Sequence, residues 1–205
     1  MLRPFRFGFQ FGLRLSLTIT LQLCATATFA QQKNPDPNLL QRNEAPDKLA
    51  IISIIIDDIG HSRHRGERAI NLPGNITIAV IPATDHAIRL STYAHQAGRE
   101  VMVHLPMENM RDQPMESLAL TSSLNRQDFD QVFDQAVKGV PFATGINNHM
   151  GSSLTQDPIA MNWLMQSIKR HQLFFVDSRT TPNSIASRVA QKQSIQSASR
   201  DIFLD

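Results

Sequence analysis

Between Leu49 and Gly60 the chain reads LAIISIIIDDIG, and this stretch limits the folds open to everything after it. Ile51, Ile52, Ile54, Ile55 and Ile56 show almost no polar alternation and all are β-branched, so the pattern predicts a strand buried on both faces of a parallel sheet. The run then ends on two acids. If the extended geometry persists, Asp57 and Asp58 point to opposite faces, and Gly60 permits the turn that follows. Two carboxylates thus arrive at the carboxyl end of a buried strand, where α/β folds place their chemistry. Adjacent carboxylates repel and are costly to desolvate, a penalty that a bound cation or a shared proton offsets. The plainer alternative is a strand-end turn in which the acids cap the next helix.

Residues 1–30 have the layout of a secretory signal peptide. Arg3, Arg6 and Arg14 precede the apolar run Leu15 to Leu23, and Ala25, Ala27 and Ala30 supply small residues for cleavage. The run is short for a membrane span and rich in Thr and Gln. An uncleaved anchor is the alternative, since Phe5, Phe7, Phe9 and Phe11 extend the segment's apolar character. Cys24 is the sole cysteine, and Leu23 before it is a poor match to the small residue of a lipoprotein signal. Cleavage after Ala27 or Ala30 removes that thiol, so disulfides drop out. The whole chain carries 20 Lys+Arg against 18 Asp+Glu, but the three signal arginines leave 17 against 18. Such a balance gives no reason to expect a nucleic-acid partner. Residues 31–48, QQKNPDPNLLQRNEAPDK, are polar and proline-bearing and read as a flexible linker. Residues 49–205 then form one domain. The expectation is a protein exported across the inner membrane, periplasmic, with no stable membrane span once the signal is cleaved.

Within that domain strand and helix signals alternate. A short helix near Arg65 to Asn71 is followed by a strand at Ile76 to Ile81, and Asp85 is placed to cap a helix running to Ala97. Glu100 to His104 forms the third strand. Asn125 opens a helix with Phe129, Val132, Phe133, Ala136 and Val137 at helical spacing, closed by Gly139. The fourth strand lies near Phe142 to Asn147. Asp157 and Pro158 start a helix through Trp163, Leu164 and Ile168 that ends on Lys169, Arg170 and His171. Leu173 to Val176 is the fifth strand, Ser184 to Lys192 the last helix, and Asp201 to Leu204 opens a sixth strand. The alternation predicts parallel α/β, as a barrel or an open wound sheet. No Gly-rich phosphate loop follows any strand, which argues against the usual nucleotide sites.

Four strands end on chemistry-bearing groups: Asp57 and Asp58; His104 with Glu108; Asn147, Asn148 and His149; and Asp177 with Arg179. In a parallel barrel these ends share one mouth. One carboxylate with two imidazoles suits a zinc-like divalent ion and leaves a position for water. His61, His64, His86, His95 and His171 lack comparable partners and read as surface or packing residues.

The motifs IIIDDIG, HLPME, GINNHMGS and FVDSRT, in this order and spacing, resemble the divergent polysaccharide deacetylases of the NodB-like carbohydrate esterase superfamily. The resemblance covers residues 49–205 and implies a distorted (β/α) barrel, smaller than the regular eight-stranded one. It implies Asp57 as general base and Asp58 as metal-binding carboxylate. His104 matches the first His of the esterases' second motif; the second would fall at Glu108, so His149 is the candidate replacement ligand. Glu108 is left as an oxygen ligand, a supporting partner or a substrate contact. Pro106 argues against a helical turn joining His104 to Glu108. Arg179 is a candidate to orient Asp57 or grip a substrate oxygen, the alternative being a structural ion pair. Asn147, Asn148, Ser152 and Asp177 are candidates for sugar contacts, with turn capping as the alternative for the amides and the serine.

The activity implied is zinc-dependent removal of N-acetyl groups from an amino-sugar polymer, a polysaccharide or peptidoglycan glycan, with Asp57 taking the proton of the attacking water. In the family the departing amine is protonated by a His near the domain's C-terminal end. The sequence as given ends at FLD, so the expectation relative to the family is a domain without its last strand and helices, either as a fragment or as a barrel left open at one edge. Two other readings stay open. One is a non-catalytic, glycan-binding accessory protein of the envelope on the same fold. The other is a glycoside hydrolase using two of Asp57, Asp58, Glu108 and Asp177.

Overall fold

The computed structural model describes residues 51–111 and 114–204; the expected signal segment, Cys24 and the linker lie outside them. The alternation in the sequence becomes β1 (Ile54–Ile59), α1 (Arg63–Ile70), β2 (Ile76–Val80), α2 (Ala87–Gln96), β3 (Glu100–Met107), α3 (Arg126–Lys138), β4 (Ala143–Met150), α4 (Pro158–Arg170), β5 (Phe174–Asp177), α5 (Ala186–Lys192) and β6 (Ser197–Ser199). Each strand pairs in parallel with its sequence neighbour, giving one sheet of order β1-β2-β3-β4-β5-β6. A doubly wound sheet reverses its strand order partway; this one never does, which is the progression of a (β/α) barrel. Among the described residues β1 and β6 do not pair with each other, and the sheet curls into a half-barrel with its helices. None of the described helices is long and apolar enough to cross a membrane.

Local sequence explains most of the boundaries. The Asn125 side chain accepts from the Asp128 backbone N–H at 3.0 Å to start α3. Phe129, Phe133 and Ala136 then fall on one face and are fully buried. Asp157 accepts from Ile159 and Ala160 at 2.7 and 3.2 Å, with Pro158 at the first helical position, to start α4. Leu164, Met165 and Ile168 of that helix join the same core cluster.

Several boundaries differ from the sequence expectation, β4 among them, which runs on past Asn147 through Met150. Burial on both faces belongs to β3, buried from Val101 through Met107, and not to β1: Ile51 and Ile52 precede β1 and are 93% and 80% exposed, because among the described residues this edge strand has a neighbour on one side only. β3 does not stop at His104 but runs through Pro106, whose carbonyl accepts from Leu120 while Leu120 in turn accepts from Glu108 N–H. Pro106 sits near the strand's end, where the missing N–H costs least. Asp85 does not cap α2, which starts at Ala87 after a turn closed by Ala87 N–H on Thr84 O. The sixth strand is Ser197–Ser199, not Asp201–Leu204. Ser197, Ala198 and Ser199 pair with Phe175, Val176 and Asp177, the end of β5, so among the described residues Ile202, Phe203 and Leu204 have no strand beside them and are exposed.

Gly60 is the backbone joint after β1. Its φ is +144°, and a Cβ there would lie 2.1 Å from Thr84 Oγ1. Gly74 has φ +92° but open space around it. Gly60→Ala is expected to cost on the order of 3 kcal/mol through combined strain and overpacking, whereas Gly74→Ala carries the backbone penalty alone, about 1 kcal/mol. Urea unfolding of both variants checks this; equal losses would contradict the close approach of Thr84.

A candidate metal centre at the strand ends

β1 carries one residue more than its partner at the point where the acids sit. Ile56 pairs with Ile78 and Ile59 with Val80, so three steps along β1 match two along β2. The extra residue is a bulge, with Asp58 in the left-handed region at φ +58°. Strand alternation would have sent Asp57 and Asp58 to opposite faces. The bulge instead brings both to one imidazole. Nδ1 of His104 lies 3.6 Å from Asp57 Oδ1, and its Nε2 lies 3.2 Å from Asp58 Oδ1. The helix-capping alternative for these acids is excluded, because α1 is capped by Ser62, whose hydroxyl accepts from Arg65 N–H.

His104 comes from the central strand and is only 4% exposed. On β4, Asn147 is its register partner and His149 follows two residues on, so the strand's two-residue period presents both to the same side. His149 Nδ1 stands 3.0 Å from Asp58 Oδ1 and 3.1 Å from His104 Nε2. The Asn147 amide spans the rest: Nδ2 donates to Asp57 Oδ1 at 2.8 Å, and Oδ1 faces His104 Nδ1 at 2.8 Å. Among the described residues, Asp58, His104 and His149 are the one group of three or more such side chains whose ligand atoms cluster closely enough to share an ion.

The other candidates stand apart from that group. Glu108 accepts from Ser122 N–H at 2.6 Å through its carboxylate. Asn148 braces two strand ends, donating to Met150 O and accepting from Ser178 N–H. Ser152 accepts from Met110 N–H at 3.0 Å. Asp177 is buried and uses both oxygens in the turn after β5, accepting from Arg179 N–H and from the Ser184 hydroxyl. Arg179 is exposed and makes no ion pair with Asp57 among the described residues; the polar partner that holds Asp57 is Asn147. The joint engagement of Asn147 with His104 and Asp57 is what the sequence reading lacked. The two-residue step from Asn147 to His149, both within β4, was the available signal.

The fold and this cluster define the class: a parallel β/α half-barrel with an aspartate and two histidines at the carboxyl ends of its strands. The chain belongs to the divergent polysaccharide deacetylase family, whose sequence profile matches residues 54–205. It is 38% identical over 154 residues to the Escherichia coli (strain K12) protein YibQ, covering 75% of this chain and 48% of YibQ. It is 35% identical over 161 residues to a Haemophilus influenzae protein, covering 78% of this chain and 56% of that one. The chain therefore spans about half the length of these curated relatives. The crystal structure of ATU2773 from Agrobacterium tumefaciens C58 superposes with a TM-score of 0.70 at 20% identity, over 75% of this chain and 63% of that one, and shares the fold.

When their rings are protonated, hydrogen bonds from His104 and then His149 hold the Asp58 carboxyl well below the usual carboxylate range, with partial burial opposing them. A depressed value means that Asp58 contributes stability above its unfolded pKa of about 3.9 and that this contribution is lost as pH falls below it. The side chain is 66% exposed, so solvent screens the effect. Wild type is expected to lose more stability than Asp58→Asn on acidification from about pH 5 to about pH 2, read by denaturant unfolding at each pH. Parallel curves would show that the histidines do not stabilise the ionised carboxyl.

Proposed function

We propose that this protein is a metal-dependent deacetylase that hydrolyses N-acetyl groups on an amino-sugar polymer of the cell envelope, with Asp58, His104 and His149 holding a divalent ion and Asp57 accepting the proton of the attacking water. One observation carries the reading. Asp58 Oδ1, His104 Nε2 and His149 Nδ1 form a nearly equilateral triangle of sides 3.0, 3.1 and 3.2 Å. A tetrahedral ion bound at about 2.0–2.1 Å to N and O ligands needs neighbouring ligands about 3.3 Å apart. The three atoms thus match one face of such a tetrahedron, and one carboxylate with two imidazoles is a donor set suited to zinc. An ion held there supplies Lewis acidity toward water and an acyl oxygen.

The remaining residues do the positioning. Asp57 has one oxygen engaged by Asn147, while its other oxygen makes no hydrogen bond among the described residues and is free to take a proton. A two-carboxylate glycoside hydrolase fits less well, since Asp177 is buried with both oxygens engaged in its own turn and Asp57 and Asp58 share one imidazole. The family match supports a carbohydrate-related role. The signal-like segment at 1–30 supports placing that role outside the inner membrane.

Elemental analysis of purified protein is expected to find near-stoichiometric zinc, lowered in Asp58→Ala and in His104→Ala. Asp57→Asn should keep the zinc while acetate release from acetylated chito-oligosaccharide or peptidoglycan falls by about 10²–10⁴. Zinc contents equal to wild type in both ligand variants would refute the site. A zinc-loaded wild type that binds such glycans without releasing acetate would make the protein a non-catalytic glycan-binding factor.

A further inference from the structure

We infer that Asn147 is a positioning residue that ties the metal ligand His104 to the base Asp57, fixing in advance which nitrogen of His104 faces the ion. The inference rests on the roles just proposed for Asp57, Asp58, His104 and His149. Donor and acceptor chemistry leaves one assignment of the hydrogens. A carboxylate oxygen only accepts, so the amide end 2.8 Å from Asp57 Oδ1 is the NH2 group. The opposite end, 2.8 Å from His104 Nδ1, is therefore the amide oxygen. That oxygen also only accepts, so Nδ1 of His104 must carry hydrogen. A neutral imidazole has one N–H, which leaves the lone pair on Nε2. Nε2 is the atom that faces Asp58 Oδ1 and His149 Nδ1.

The opposite amide orientation would set the amide oxygen against the Asp57 carboxylate, two acceptors with no hydrogen between them. Burial makes such a mismatch costly: His104 is 4% and Asn147 2% exposed. The two are also register partners on adjacent strands, so the sheet itself holds their spacing. No other residue type of this length offers an acceptor to the ring and a donor to the acid at once. Aspartate at this position keeps the acceptor for His104 but sets a second carboxylate against Asp57. Leucine, of similar size, removes both bonds. The two substitutions therefore separate the roles.

The test uses the full chain labelled with 15N-histidine, with long-range 1H–15N spectra recorded without added metal, zinc affinity by competition with a chromophoric chelator, and kcat on an acetylated chito-oligosaccharide. At a pH where the ring is neutral, wild type is expected to show His104 with hydrogen on Nδ1 and a bare Nε2. Asn147→Leu should lose that signature and bind zinc about 10–100-fold more weakly. Asn147→Asp should keep the signature and bind zinc within the same order of magnitude as wild type, yet turn over at least tenfold more slowly. A neutral His104 with hydrogen on Nε2 and none on Nδ1 in wild type, or a leucine variant with unchanged tautomer and affinity, would overturn the inference. Full turnover in Asn147→Asp would overturn the tie to Asp57. Should the leucine variant fail to fold, wild type and Asn147→Asp still decide. Failure of wild type to bind zinc would refute the site reading instead, and the metal-free tautomer would then decide the Asn147 assignment by itself.

Discussion

One extra residue in β1 is the constraint on which the mouth of this half-barrel depends. Regular pleating would place Asp57 and Asp58 on opposite faces, with a single carboxylate near His104. The bulge, with Asp58 in the left-handed region, carries both acids to opposite edges of one ring. A non-glycine residue in that region costs on the order of 1 kcal/mol or more, and such costs persist where surrounding structure over-determines them. Here the determinants are Gly60, packed against Thr84, and the pairing that resumes at Ile59 with Val80. The strain lies where chemistry is proposed, not in the packed half of the sheet.

The second constraint is burial at β3. A histidine 4% exposed in a strand buried along its length is tolerated because both ring nitrogens have polar partners, Asn147 on one side and Asp58 with His149 on the other. Isolated, such a ring would favour replacement by an apolar residue. The surrounding network meets that cost, and the proposed tautomer would leave the Nε2 lone pair available to an ion. Around this network Asn148, Ser152, Glu108 and Asp177 close turns and join strand ends, so their polar atoms serve the loops that frame the mouth.

Much of the architecture was legible in the residues, and the exceptions have physical causes. Caps at Asn125 and Asp157 and the helical spacing of Phe129, Phe133 and Ala136 are local signals, and the helices start where they predict. Edge position is not local. The isoleucines before and within β1 carry the composition of a central strand but, among the described residues, lie beside one neighbour only, so their exposure could not be read from their identity. The apolar Asp201–Leu204 segment outweighed Ser197–Ser199 as a strand signal for the same reason, because pairing is decided by where β5 ends.

From sequence alone came the family, the parallel α/β plan, and the short set of acids, imidazoles and amides at strand ends from which the candidate centre is drawn. These are legible because apolar periodicity and strand-end placement are properties of neighbouring residues. Tertiary structure alone decided which members of that set meet. The bulge that turns Asp57 and Asp58 together, and the register that sets Asn147 beside His104, join residues 43 to 90 positions apart. Such distances and hydrogen-bond directions are fixed by strand pairing across the sheet, and no local pattern encodes them.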